Sequence, residues 1–274
     1  MTDPLTSKEI EAHYAEAKEA DRLSGPYGEL EQLRTQAILT RHLPAPPAVI
    51  FDIGGAAGAY AFALAEKSYA VHLIDPVDLH LDQARNHSAS SGVPLASITK
   101  GDARNLAAPS NTADAVLLLG PLYHLIERTD RVAALREARR ILKPRGLLFA
   151  AAISRFASLI DGFARGFFQD REFREIVAKD LATGQHRNPT NRPVYFTTAY
   201  FHRPEDLTAE IREAGFTHTE ILAVEGPVWS TPHFPLAWAD PSQRRSLMEF
   251  LSKIEGEPSA LGASAHFIAV ARND

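Results

Sequence analysis

The sequence predicts an α/β fold built on a doubly wound, mostly parallel sheet. Short apolar runs alternate with helical stretches between residues 48 and 153. The first run ends in a glycine- and alanine-rich turn, Gly54 to Gly58. The alternation breaks off after Ser154 and resumes at Glu205, so the stretch between reads as an insertion into one sheet.

The elements follow in order. Residues 7–42 read as helical, with Leu30, Leu33, Ala37 and Ile38 at helical spacing and a break at Ser24-Gly25-Pro26. A proline-rich turn at 43–48 closes that segment. Residues 49–53 read as a strand, 59–67 as a helix and 70–74 as a second strand, followed by a helix to about 90. Residues 95–99 and 113–119 are the third and fourth strands. Residues 131–142 form an amphipathic helix and 147–153 the fifth strand. Alternation of this kind implies right-handed βαβ crossovers. Residues 155–183 read as helices, and 184–204 as irregular chain rich in proline, asparagine and aromatics. Residues 205–214 are a helix with Gly215 as its C-cap. Strands at 221–224 and 266–271, with a helix at 243–254 between them, bring the sheet to seven strands.

Bulk properties bound the function. The chain has 274 residues, 45% hydrophobic and 23% charged, which is ordinary globular composition. A net charge of -5 and short basic clusters argue against a nucleic-acid partner. There is no cysteine, which removes disulfides, thiolate metal sites and cysteine nucleophiles together. The histidine spacing matches no metal motif, so no metal is expected. The N-terminus is polar and acidic, without a signal-peptide core, and no stretch is apolar enough to span a membrane. A cytoplasmic protein without a membrane partner is the expectation, and its oligomeric state is open.

In open α/β sheets a ligand binds at the carboxyl ends of the strands, where strand order reverses. A turn that meets a ligand with its backbone favours Gly or Ala, and Gly54, Gly55 and Gly58 meet that need. Asp75 closes the second strand, where a carboxylate accepts from ribose hydroxyls. Asp102 closes the third, placed for an adenine amino group. A dinucleotide fingerprint keeps only one of its three glycines here and leaves Asp52 unexplained. An anion before the turn is a poor neighbour for a pyrophosphate and a good one for an ammonium and a sulfonium.

At this point the chain resembles the class I (Rossmann-like) S-adenosylmethionine-dependent methyltransferases of the small-molecule type. The family's acid-x-Gly-x-Gly-x-Gly motif matches Asp52, Gly54 and Gly58, with Ala56 in place of the middle glycine. Asp75 matches the second-strand acid, and Gly101-Asp102-Ala103 the third-strand motif. ADAVLLLGPLYHL ends in the apolar-His-apolar triplet Tyr123-His124-Leu125, and REARRILKPRGLLFAA matches the helix–Lys-Pro-x-Gly–strand unit. The resemblance covers roughly 48–153 and 205–271. It implies one methyltransferase domain, 1–274, with a helical cap at 1–43, a cofactor-binding core at 48–153, a lid at 155–204 and the end of the core at 205–274.

The resemblance also implies the site. S-adenosylmethionine, leaving as S-adenosylhomocysteine, is expected against Asp52 and the turn of Gly54, Gly55, Ala56 and Gly58, with Tyr60 behind it. Asp75 and Pro76 are expected at the ribose, Asp102 and Ala103 at the adenine, and Gly120 below. Ala56 is compatible with the turn if its φ is negative. A small-molecule acceptor, methylated on O or N, is expected against Tyr14, Arg22, Tyr123, Arg187, Asn188, Tyr195 and Tyr200. His124, His186 and His202 are the candidate bases. An NAD(P)-dependent oxidoreductase and a non-catalytic S-adenosylmethionine-binding domain are the alternatives.

Overall fold

The computed structural model describes residues 25–190 and 192–274. Tyr14 and Arg22 lie outside the described residues. Helix α1 (Gly25–His42) leads into β1 (Val49–Ile53), α2 (Ala59–Ala65), β2 (Ala70–Asp75), α3 (Asp78–Ser91) and β3 (Ser97–Lys100). Then come β4 (Ala113–Leu118), a single helical turn α4 (Pro121–His124), α5 (Arg128–Ile141) and β5 (Leu142–Ile153). The inserted segment holds α6 (Ala157–Arg165), α7 (Arg171–Thr183), β6 (Gln185–His186) and β7 (Ala199–Tyr200). The chain ends with α8 (Pro204–Glu213), β8 (His218–Ala223), α9 (Phe234–Ala239), α10 (Pro241–Ile254), α11 (Pro258–Leu261) and β9 (His266–Arg272).

Seven strands form one sheet in the order β3-β2-β1-β4-β5-β9-β8. The first five are parallel, and β9 runs antiparallel to both β5 and β8. Residues alternate across the strands, so both faces are apolar. Val116, Leu118, Leu148 and Ala150 pack under α5 and α8. Leu117, Phe149 and Ile50 pack under α1, α2 and α3. Such double coverage is what a parallel sheet requires. The direction of winding reverses between β1 and β4, which opens a crevice at their carboxyl ends.

Tertiary pairing shifts several expected boundaries. β5 starts at Leu142, where residues 147–153 were expected, because Leu142 pairs with Ala113 ahead of a register shift that accommodates Pro144. β8 starts at His218, ahead of the expected 221, as a polar edge strand paired to β9. The irregular stretch of the insertion contains a two-stranded antiparallel ribbon, Gln185↔Tyr200 and His186↔Ala199. The expected apolar face of α1 is also corrected. Leu33 is exposed, and the buried face runs through Leu30, Arg34, Thr35, Ile38 and Leu39. Arg34 is tolerated there because it pairs with Glu255 and donates to the Val224 carbonyl at 3.0 Å.

Candidate active site

The crevice is built from two turns that lean on each other. Gly54 follows β1 with φ +69°, and its N–H donates to the Ile74 carbonyl at 2.7 Å. A β-carbon on Gly54 would lie 2.6 Å from the Pro121 ring, and one on Gly120 would lie 3.1 Å from the Gly54 carbonyl oxygen. Both glycines are therefore favoured by close approach, and Gly54 by its backbone conformation as well. Ala56 takes φ +49°, in the left-handed region, so the expectation of a negative φ is corrected. Its N–H is used there: it donates to Asp75 Oδ2 at 2.9 Å.

Asp52 sits directly under this turn. The side chain is 1% exposed, and a β-carbon on Gly55 would lie 2.6 Å from its carboxylate. Among the described residues neither carboxylate oxygen completes a hydrogen bond. Burial pushes its pKa up to about 7, the charge of Asp75 adds to the rise, and the nearby Ala61 backbone only partly opposes it. A buried, unsatisfied carboxylate costs stability, so it stands out against a sheet that is otherwise well satisfied.

Asp75 is held by the Ala56 and Val77 amides and by His80 Nδ1, at 2.9, 2.9 and 3.1 Å. A carboxylate has about four acceptor positions, so capacity remains for a ligand hydroxyl. Asp102 is differently engaged. Arg104 grips it with Nε at 3.1 Å to each oxygen and Nη2 at 2.6 Å, and its own N–H donates at 2.8 Å. Arg104 also reaches Asp130 at 3.0 Å. An adenine amino group at this position would share Asp102 with a guanidinium, a partner that sequence reading missed. Pro76 is half-buried beside Asp75, Ala103 is buried beside Asp102, and Tyr60 is buried in the core under α2.

On the β4 side, Tyr123 and His124 follow Gly120 on α4. Their rings meet edge-on with centroids 4.7 Å apart, and Phe196 of the insertion lies 6.3 Å from His124. Phe196 adopts φ +65°, ψ −175°, a conformation otherwise confined to glycine. The insertion thus brings a strained aromatic residue against the turn that follows β4.

The other expected residues of the insertion serve the insertion itself. His186 is corrected as a base: its Nδ1 meets Asp180 Oδ2 and its Nε2 the Tyr195 carbonyl, both at 2.8 Å, so neither nitrogen is open. His202 is corrected likewise. Its ring is fully buried, with Nε2 3.2 Å from Glu210, and burial lowers its pKa against the pull of Glu210. Tyr195 is buried against Phe167 and Phe173 and donates to Asp170 at 2.9 Å, so it is core and not a substrate contact. Asn188 donates to the Arg192 and Phe196 carbonyls at 2.8 and 2.7 Å and shapes the loop. Tyr200 lies flat under the Arg131 guanidinium at 3.6 Å. Arg187 is half-buried just after β6.

The strand order with its reversal point, and the glycine turn and acids at the ends of β1, β2 and β3, are those of the class I, Rossmann-like, S-adenosylmethionine-dependent methyltransferase fold. Residues 50–146 match the sequence family described as Methyltransferase domain. The chain is 31% identical over 172 residues to the ubiquinone/menaquinone biosynthesis C-methyltransferase UbiE of Caulobacter sp. (strain K31), covering 58% of this chain and 66% of that protein. It therefore spans just under two thirds of that relative's length. It is 26% identical over 215 residues to a ubiquinone biosynthesis O-methyltransferase of Xanthomonas axonopodis pv. citri (strain 306), covering 77% of this chain and 80% of that protein. Among solved structures, an S-adenosylmethionine-dependent methyltransferase of Thermotoga maritima shares the fold. Its TM-score is 0.58 at 18% identity, over 97% of this chain and 98% of that one. The dinucleotide reading is not favoured by any of these likenesses. S-adenosylmethionine is the cofactor of such methyltransferases, and the residues present fit it: a turn of three glycines and Ala56 packed over an orphaned buried carboxylate.

Proposed function

We propose that this protein transfers a methyl group from S-adenosylmethionine to an oxygen or nitrogen atom of a small-molecule acceptor. The observation that carries the reading is Asp52, a buried carboxylate with two unsatisfied oxygens beneath an open turn. A ligand carrying positive charge favours the ionised form of such a carboxylate and offsets the cost of burying it. When bound, the cofactor supplies an electrophilic methyl group on a positively charged sulfur.

The chain's own residues do the rest. Asp52 balances the cationic end of the ligand, with Tyr60 behind it in the wall. Gly54, Gly55, Ala56, Gly58 and Gly120 allow close approach of backbone. Asp75 and Pro76 bracket the ribose, and Asp102 with Ala103 the adenine. Tyr123, His124 and the insertion's Phe196 wall the acceptor side, with Arg187 at the rim. The relatives named as a C-methyltransferase and an O-methyltransferase of ubiquinone biosynthesis support a small-molecule acceptor. We read the insertion as a lid that excludes water and holds the acceptor in line, which is the largest contribution such a reaction asks of a protein. His124 takes the acceptor proton where the nucleophile is protonated and of high pKa.

The test is a thermal-shift comparison of S-adenosylhomocysteine with NADH, followed by S-adenosylmethionine turnover on a panel of catechols and amines. A shift with S-adenosylhomocysteine alone, and its release on an acceptor, is the expected outcome. A shift with NADH alone overturns the reading.

A further inference from the structure

Arg131 is 2% exposed in the middle of the molecule, and every face of its guanidinium is used. Nε reaches both oxygens of Glu210 on α8 at 3.0 Å, and Nη2 reaches Oε1 at 2.7 Å. Nη1 donates to the carbonyls of Leu125 and Ile126 at 2.9 and 2.7 Å. The plane lies 3.6 Å over the Tyr200 ring of the β6–β7 ribbon. One side chain thus touches α8, the loop that directly follows Tyr123 and His124, and the ribbon that closes the insertion.

The surroundings reinforce the same junction. Arg155 donates to the Phe201 carbonyl at 2.7 Å and approaches the Tyr200 hydroxyl at 3.2 Å and Asp206 at 3.1 Å. His202 sets its Nε2 3.2 Å from Glu210 Oε2, with its ring edge-on to Tyr200. Burial alone pushes the Glu210 carboxyl up, but the His202 and Arg131 bonds outweigh it and hold it below the usual range. A buried ion pair is a poor source of stability compared with an apolar side chain of equal size. What the planar five-donor fork provides, and no apolar residue or lysine can, is fixed geometry between three elements at once.

We propose that Arg131 is a positioning residue that locks the Tyr123–His124 loop and the lid ribbon into a single register, so that the acceptor wall and its cover form or loosen together. This rests on the reading of that loop and ribbon as the acceptor side of a methyltransferase site. Arg131 touches no residue of the glycine turn, so cofactor affinity is expected to stand apart from this coupling.

The experiment is amide hydrogen exchange on the full chain, for wild type, Arg131→Lys, Arg131→Met, Tyr200→Leu and the Arg131→Lys/Tyr200→Leu double variant. S-adenosylhomocysteine affinity is measured on each. Arg131→Lys keeps a charge for Glu210 but cannot also hold two carbonyls. It is expected to lower protection at least tenfold in both 121–127 and 197–202. Protection in β1 and β4, and S-adenosylhomocysteine affinity, stay within twofold of wild type. Arg131→Met adds loss of protection in α8, which the lysine variant restores. Tyr200→Leu, which leaves every Arg131 hydrogen bond in place, is expected to loosen 121–127 as well, and the double variant to add less than the product of the two single effects. Loosening of one segment alone, multiplicative effects, or loss of protection across the whole sheet overturns the proposal. Failure of wild type to bind S-adenosylhomocysteine overturns the methyltransferase reading instead and leaves the exchange result to judge the coupling.

Discussion

Asp52 and Ala56 show opposite ways in which a residue departs from comfort at this site. Asp52 is an acid whose pKa is raised on folding, from 3.8 to about 7. Between those values the folded protein holds a proton that the unfolded chain has released, so ligand-free stability falls as pH rises through that window. The size is on the order of 4 kcal/mol at most, since each unit is worth about 1.4 kcal/mol. Chemical denaturation of the ligand-free protein at pH 4.5 and pH 8 measures the fall, and Asp52→Asn is expected to flatten it while weakening S-adenosylhomocysteine binding at pH 8. Ala56 carries left-handed strain of roughly 1 to 2 kcal/mol. Ala56→Gly should raise the melting temperature by about 2 to 4 °C, as calorimetry would show, with cofactor binding retained. An unchanged or lower value would mean the turn carries no strain there. Ala56 was readable as a departure from the motif, but its φ was not, because a lone small residue is compatible with either hand of turn.

Among the elements, the inserted segment is stabilised by its own small core and by one buried polar knot. Asp180 is fully buried, accepting from Ser158 at 2.7 Å and pairing with His186 at 2.8 Å. Asp180→Ala strands both partners and is expected to cost about 2 to 4 kcal/mol, read as faster limited proteolysis within 155–203. Sheet strands should stay protected and S-adenosylhomocysteine affinity unchanged, because none of these groups reaches the turn. Helices α6 and α7 were legible from their spacing, and the ribbon was not. Two-residue strands carry no periodicity, and only the pairing of Gln185 with Tyr200 across the loop defines them. The same holds for the start of β5: Leu142 to Gly146 contains a proline and a glycine, and reads as a turn until Ala113 is seen opposite.

At the level of the whole molecule, the two halves of the crevice come from strands that pair 65 positions apart, as Phe51 does with Val116. A ligand that bridges their ends stabilises the native state by mass action. S-adenosylhomocysteine at a hundred times its dissociation constant is expected to add about 2.7 kcal/mol, and NADH nothing. Among the described residues no helix is long and apolar enough to cross a membrane.

The order of the seven sheet strands, the glycine turn after β1 and the acids at the ends of β1, β2 and β3 were legible in the sequence. These are local features: period, glycine content and the residue at the end of an apolar run decide them. The tertiary structure alone decided which polar groups are satisfied. Arg131 meets Glu210 across 79 positions and Arg34 meets Glu255 across 221, and neither arginine differs in local pattern from a solvated one. Two of the three candidate histidines became structural for the same reason. A buried polar atom is defined by its partner, and the partner is supplied by the fold rather than by the neighbouring residues.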